Sequence, residues 1–181
     1  MLRGKDIKRY SYEFADLWLI TTLPSLKIDI ENFPAVKKHL LSFGYDRLKQ
    51  TGEPGARKKT HNKWFETQDS ISYWEDFYRQ KIIYSETNNS KETKICFDKT
   101  GKFFIDKTCF IITAKSEIII QHIFKSLKSK LFTWYMSLTS PLLGVNGISL
   151  TKESVQTFPI HNPNSNYHLN NEEINYIEMT L

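Results

Sequence analysis

The chain has 181 residues, is 40% hydrophobic and 14% aromatic, and carries a formal net charge of +5. That length supports one well-buried core rather than two independent ones, and the aromatic share argues against a disordered chain. No apolar run approaches the roughly 20 residues of a membrane span and no signal-peptide core opens the sequence, which speaks against a membrane role. Arg3 to Tyr10 reads as a turn feeding an extended segment, with Gly4 supplying backbone freedom, and the abrupt start suggests that Met1 is not the beginning of the natural protein. Leu17-Trp18-Leu19-Ile20 has the length and bulk of a buried strand. A helix follows: Asn32 can cap it, Pro34 suits its first turn, and Val36, Leu40, Leu41 and Leu48 mark an apolar face interrupted by Gly44.

Thr51-Gly52-Glu53-Pro54-Gly55 ends that helix and opens a basic loop. The window from Arg47 to Lys63 holds six basic residues (Arg47, Lys49, Arg57, Lys58, Lys59, Lys63) against Glu53, so it carries the whole net charge. A cationic excess in one window is a footprint for a polyanion, although basic loops also occur on proteins that never meet one. Aromatic residues follow, with Asp69 or Ser70 able to cap a short helix bearing Tyr73, Trp74, Phe77 and Tyr78. Amphipathic spacing favours packing of Trp64, Tyr73 and Trp74 between helix and sheet over stacking on nucleic-acid bases.

Residues 81–86, 94–98, 102–106 and 109–113 are predicted strands. Asn88-Asn89-Ser90 and Lys99-Thr100-Gly101 are turn signals, and the second sits in a hairpin pattern. Cys96 and Cys109 lack metal or redox spacing; they are expected as reduced, buried small residues in neighbouring strands, which fits a cytoplasmic protein. Residues 117–139 carry a sustained helical stripe, either one long helix or two broken near Lys128-Ser129-Lys130. Pro141 ends it, Gly144-Val145-Asn146-Gly147 forms a loop, Ile148-Ser149-Leu150 a short strand, and residues 152–158 a helical turn stopped by Pro159. Residues 161–166 have the composition of a linker, and residues 172–179 start a helix. The expected fold class is α+β: a small, mainly antiparallel mixed sheet packed with helices.

Catalytic patterns are weak. Asp76 followed by Glu92-Thr93-Lys94 fits a Mg²⁺-dependent nuclease loosely, His61-Asn62 has no partner histidine at usable spacing, and no Cys or His pairs suit zinc. Gly144-Val145-Asn146-Gly147 lacks the lysine of a phosphate-binding loop, and Asn162-Pro163 lacks the aromatic residue that adenine methyltransferases use to hold a flipped base. No catalytic and no metal-binding residue is expected in this chain.

Four segments in order carry a resemblance. They are Leu2-Arg3-Gly4-Lys5-Asp6-Ile7-Lys8-Arg9-Tyr10; Lys63-Trp64-Phe65-Glu66 with Tyr73-Trp74-Glu75 and Lys81-Ile82-Ile83-Tyr84; Ser129-Lys130-Leu131-Phe132-Thr133-Trp134-Tyr135; and residues 144–160, ending Val155-Gln156-Thr157-Phe158-Pro159-Ile160. Together they resemble the TaqI-like C-terminal specificity domain, the target recognition domain of adenine-specific DNA methyltransferases and fused type II restriction–modification enzymes. The resemblance implies a non-catalytic domain over residues 1–160, with residues 161–181 a linker and the start of a helix leading onward. It also implies double-stranded DNA as a partner and a methyltransferase or nuclease domain in the same protein or complex. No cofactor is expected in this chain; S-adenosylmethionine belongs to the catalytic partner.

On that reading Lys58, Lys59, Lys63 and the face bearing Lys125, Lys128 and Lys130 are candidate phosphate contacts. Arg57 and Arg3 are candidates for bidentate contact with guanine, and Asn62 or Gln68 for adenine. Lys5, Lys8, Arg9, Thr60 and His61 complete the expected DNA-contact set. Two other classes stay open: a protein-interaction module whose basic loop meets an acidic partner, and the Mg²⁺-dependent nuclease.

Overall fold

A computed structural model describes every residue except Pro163 and Asn166, so the predicted linker at 161–166 lies partly outside the described residues. The α+β class holds, with antiparallel sheets and helices both present. The chain forms two compact units: residues 1–17 with 75–181, and, inserted between them in sequence, residues 18–74.

The first unit is organised on β1 (Lys81–Ser85), central in a sheet ordered β3-β1-β4, with β3 at Ile95–Asp98 and β4 at Cys109–Ile112. Both neighbours run antiparallel to β1. All five residues of β1 are buried, because each face of the sheet is covered. The two-residue strand period sorts the side chains. Ile82, Tyr84 and Ile95 face a core completed by Ile120 and Leu127 of α3 (Glu117–Leu127) and by Phe132 and Met136 of α4 (Lys130–Thr139). Ile83, Cys96 and Cys109 face a second cluster built with Leu2 and Ile7 of the N-terminal segment. The two cysteines are free and buried on strands flanking β1, not on adjacent strands as expected, and burial pushes both thiols up to about 12.

A second small sheet, ordered β2-β6-β5, joins Thr87–Asn88 (β2), Leu142–Leu143 (β5) and Gly147–Ser149 (β6). Asn88, expected only as a turn residue, is fully buried in β2. Its amide donates to the Ser85 and Glu86 carbonyls, and its oxygen accepts from the Lys94 amide, closing the bend between the sheets. The predicted helix at 117–139 is two helices: the Ser129 hydroxyl accepts from the Phe132 amide and donates to the Ser126 carbonyl, capping α4 where α3 ends. α5 (Lys152–Gln156) follows, and α6 (Asn171–Thr180) starts in a capping box of Asn170 and Glu173.

Two strand predictions fail. Residues 102–106 form no hairpin with β3, which is paired along its length by β1 and bridged at Ile95 by Arg9. Their backbone turns instead to the N-terminus, with the Leu2 amide on the Phe104 carbonyl at 2.8 Å and the Asp106 amide on the Leu2 carbonyl at 3.1 Å. Residues 17–20 form no strand either, and Trp18 is 82% exposed. An apolar run predicts burial only where a facing surface exists.

The second unit contains helices and loops among its described residues. α1 (Pro34–Leu41) starts after Phe33 rather than at an Asn32 cap, and α2 (Tyr45–Leu48) follows Gly44, whose φ of 92° breaks the rod. With no sheet in this unit, Trp64 does not pack between helix and sheet as expected: it meets Phe65 and Tyr45 edge to face at 5.5 and 6.0 Å. Tyr73 is 55% exposed.

One ion pair locks the first unit. Lys81 and Asp98 face each other across β1 and β3 with 0% and 1% side-chain exposure and an Nζ–Oδ2 distance of 2.6 Å. The ammonium also donates to the Phe77 carbonyl. The carboxylate accepts from the amides of Thr100, Gly101 and Phe103 and from the Thr100 hydroxyl. Burial raises the Asp98 pKa, but the Lys81 ammonium and the Phe103 amide outweigh it and hold the carboxyl below its ordinary value. Gly101 is required beside this pair: its φ is +64°, and a Cβ would stand 2.3 Å from the Tyr78 carbonyl oxygen.

Asp98→Ala is therefore expected to cost about 3–5 kcal/mol in denaturant unfolding, because it leaves a buried ammonium uncompensated. Since the folded pKa of Asp98 is depressed, its contribution is fully present above the ordinary carboxylate value and is lost as pH falls through the folded one. Urea midpoints measured down an acid series check this; an unchanged acid limb in the variant would exclude Asp98 as its source.

Candidate nucleic-acid interface

In the second unit the basic loop is built around one buried amide. Gln50 donates from Nε2 to the Lys63 and Glu66 carbonyls at 3.0 and 2.7 Å, and its Oε1 accepts from the Thr60 hydroxyl at 2.5 Å. The Thr60 amide returns to the Gln50 carbonyl at 3.1 Å. One side chain thus ties both ends of the segment 60–66 to the end of α2. Glu66, also buried, accepts from the Lys63 amide at 2.7 Å.

The predicted contacts divide on this scaffold. Arg57 is half-buried; its guanidinium donates to the Leu48 carbonyl at 2.8 Å and to the Trp64 carbonyl, and burial lowers its pKa. The Asn62 amide donates to the Thr67 and Gln68 carbonyls at 2.9 and 3.2 Å. Thr60 is held by Gln50 as described. These three hold the loop in shape with the donors that would read a base. Lys58, Lys59, His61 and Lys63 stand exposed. Lys58 pairs with Asp69 at 2.5 Å, and Lys63 reaches the Ile28 carbonyl at 3.3 Å while lying 5.5 Å from the Phe65 ring centre. An exposed pair such as Lys58–Asp69 is worth about 0–1 kcal/mol, so a phosphate can replace the carboxylate at little cost. Beneath the loop a cleft of about 530 Å³ is lined by Phe43, Arg47, Leu48, Gly55, Ala56 and Arg57. Arg47 entered the charge count without being named as a contact; no sequence signal marked its place in the cleft wall.

The first unit gathers a second group from distant positions. Tyr10 adopts φ 69°, and its hydroxyl donates to the Lys128 carbonyl at 2.8 Å. The Arg9 guanidinium carbon lies 5.4 Å and the Lys128 ammonium 5.0 Å from its ring centre, and Lys128 is also 5.3 Å from that of Phe124. Arg9 pairs with Glu92 at 2.9 Å, Lys130 with Glu178 at 2.7 Å, and Lys8 with Glu13 at 3.3 Å. Lys5 is exposed. Arg3 does not join this group: it makes a bidentate pair with buried Asp6, and the hydrogen bond from Arg3 lowers the Asp6 pKa despite burial. Gly4 is needed next to that pair, because a Cβ would stand 2.8 Å from both the Ser85 and Thr108 hydroxyls. The nuclease triplet does not assemble as a metal site: Glu92 is engaged by Arg9, Asp76 by Arg79, and among the described residues no three His, Cys, Asp or Glu side chains cluster to hold an ion. Among the described residues, too, no helix is long and apolar enough to cross a membrane.

Gln50→Leu is expected to release the loop. Amide exchange at Thr60 and Lys63 should accelerate by about ten- to a hundredfold as the three hydrogen bonds of the Gln50 side chain are lost, while β1 amides stay protected. Mass-resolved hydrogen exchange measures both regions in one experiment.

Residues 1–160 match the family model of the TaqI-like C-terminal specificity domain. No curated protein matches the chain. The match extends from the Arg3–Asp6 turn through the basic loop and β1 to the segment after α5, and domains of this family are generally non-catalytic. The chain belongs to the TaqI-like C-terminal specificity domain family, whose role is DNA sequence specificity in restriction–modification systems.

Proposed function

We propose that this chain reads a short double-stranded DNA sequence for an adenine-specific methyltransferase, alone or fused to a restriction nuclease, that lies in the same protein or complex. Residues 1–160 form the recognition domain, and residues 161–181 lead to a further segment. S-adenosylmethionine is bound by the catalytic partner, and the enzyme works in the cytoplasm. The observation that carries this reading is the loop on Gln50, which holds exposed Lys58, Lys59, His61 and Lys63 on a hydrogen-bonded base. Phosphate contacts set register without carrying sequence information, so these cations orient the domain while neighbouring groups read base edges. Arg9, Lys128 and Lys130 supply backbone contacts from the first unit. Arg3, Arg57 and Asn62 act as frame residues, since their donors are already engaged within the chain. The cleft residue Arg47 and half-buried Gln68 are the better candidates for base contact.

The interaction-module reading needs an exposed stripe on α3. That stripe faces the core instead: Ile120 and Leu127 are buried, Ile123 and Phe124 pack against them, and Ile118 and Ile119 in the first turn are exposed.

Selection from a random duplex pool with the purified chain tests the proposal, with an enriched motif as the expected result and no enrichment the result that counts against it. Replacing Lys58 and Lys59 by Ala should weaken binding to all duplexes and reduce the slope of log K against log salt by about 1.8, near 0.9 for each phosphate no longer neutralised. An unchanged slope would remove the loop from the interface.

A further inference from the structure

The chain contains five arginines, and four of them engage the guanidinium within the protein. Arg3 pairs with Asp6, Arg9 with Glu92, and Arg79 with Asp76 and the Ala114 carbonyl. Arg57 donates to the Leu48 and Trp64 carbonyls. Arg47, exposed on α2, is the exception: among the described residues its guanidinium meets no hydrogen-bond partner, carboxylate or ring. The carboxylates close to it in sequence are taken, since Asp46 and Glu53 both pair with Lys49, at 3.3 and 2.7 Å.

The backbone that carries this free group is anchored. The Arg57 guanidinium meets the Leu48 carbonyl, the Arg57 amide the Lys49 carbonyl at 3.1 Å, and the Thr60 amide the Gln50 carbonyl at 3.1 Å. The three carbonyls that follow Arg47 are thus tied to the basic loop, so binding through Arg47 need order only its side chain. Arg47 also lines the cleft of about 530 Å³, beside Phe43, Leu48 and Ala56. Those apolar neighbours give nothing to a hydrated phosphate, but they suit the apolar parts of a base pair, such as the thymine methyl. A planar guanidinium presents paired donors at fixed spacing, where a lysine presents one mobile charge. In duplex DNA the matching pair of acceptors is guanine O6 and N7, side by side in the major groove. Resting on the recognition role proposed above, we propose that Arg47 is a specificity-determining residue that donates to O6 and N7 of one guanine in the recognised duplex.

The test starts from the duplex that the full chain enriches from a random pool. Each guanine of that duplex is replaced in turn by 7-deazaguanine, which lacks the N7 acceptor, and binding is followed by fluorescence anisotropy. One replacement is expected to weaken binding of the unaltered protein about tenfold, the worth of one hydrogen bond to a charged donor. Arg47→Ala should bind the native duplex more weakly and be indifferent to 7-deazaguanine at that position, because the two changes remove the same contact. Its own enriched motif should lose the guanine preference there and keep the preferences elsewhere. Arg47→Lys keeps the charge and should keep the slope of affinity against salt, yet lose the same guanine preference. Circular dichroism melting checks that both variants are folded. An Arg47→Ala protein that weakens equally on every duplex with all base preferences intact makes Arg47 a phosphate contact and overturns the proposal, while recognition stands. A 7-deazaguanine effect that survives Arg47→Ala overturns it too, as does an enriched site without guanine. If the unaltered chain enriches no motif, the recognition role falls and this proposal falls with it.

Discussion

The buried pair of Lys81 and Asp98 is the constraint on which the first unit depends. Two charges removed from water cost several kcal/mol each, and their attraction offsets this only when the remaining hydrogen-bonding capacity is filled. Here it is filled from both sides: the Phe77 carbonyl receives the ammonium, and the amides of Thr100, Gly101 and Phe103 meet the carboxylate. The pair therefore fixes the first residue of β1, the last of β3, the turn after β3 and the segment before β1 in one arrangement. Register follows, because a slip of one residue would carry the charges to the opposite, apolar face.

Leu2 and Ile7 complete the core beneath that sheet, which makes the N-terminal segment an integral part of it. Arg3 and Asp6 close the turn between them, and Gly4 passes against the Ser85 and Thr108 hydroxyls where no side chain fits. Once Leu2 is seated, its backbone takes the hydrogen bonds of residues 104–106, and the hairpin suggested by local pattern cannot form. The same seating brings Tyr10 to the junction of α3 and α4, so Arg9 and Lys128, far apart in sequence, flank one ring.

In the basic loop, positive charge is divided between two tasks. Arg57 is directed inward to backbone carbonyls, where a planar guanidinium with several donors can bridge two acceptors. The lysines, with a single mobile ammonium on a long stem, stand outward and remain available to a polyanion. Charge arithmetic treats the two residue types alike, because it counts charges and not hydrogen bonds already made.

The strand at residues 81–85, the helical stripe that follows Ser116 and the cationic window were legible in the residue order, since each depends on neighbours a few positions away; that stripe fits one helix or two, and the Ser129 cap decides for two. The family was legible for a related reason: its four segments are local strings in a fixed order. Asn88, Gln50 and Asp98 carried no such signal, because a polar residue becomes a staple only when distant backbone groups come to meet it. Residues 17–20 and 102–106 had the composition of strands and are not strands, because a strand requires a free edge or a facing surface that local sequence does not supply. Local order thus settled the elements and the charge; the packing of distant segments decided which polar groups hold the frame and which remain available to bind.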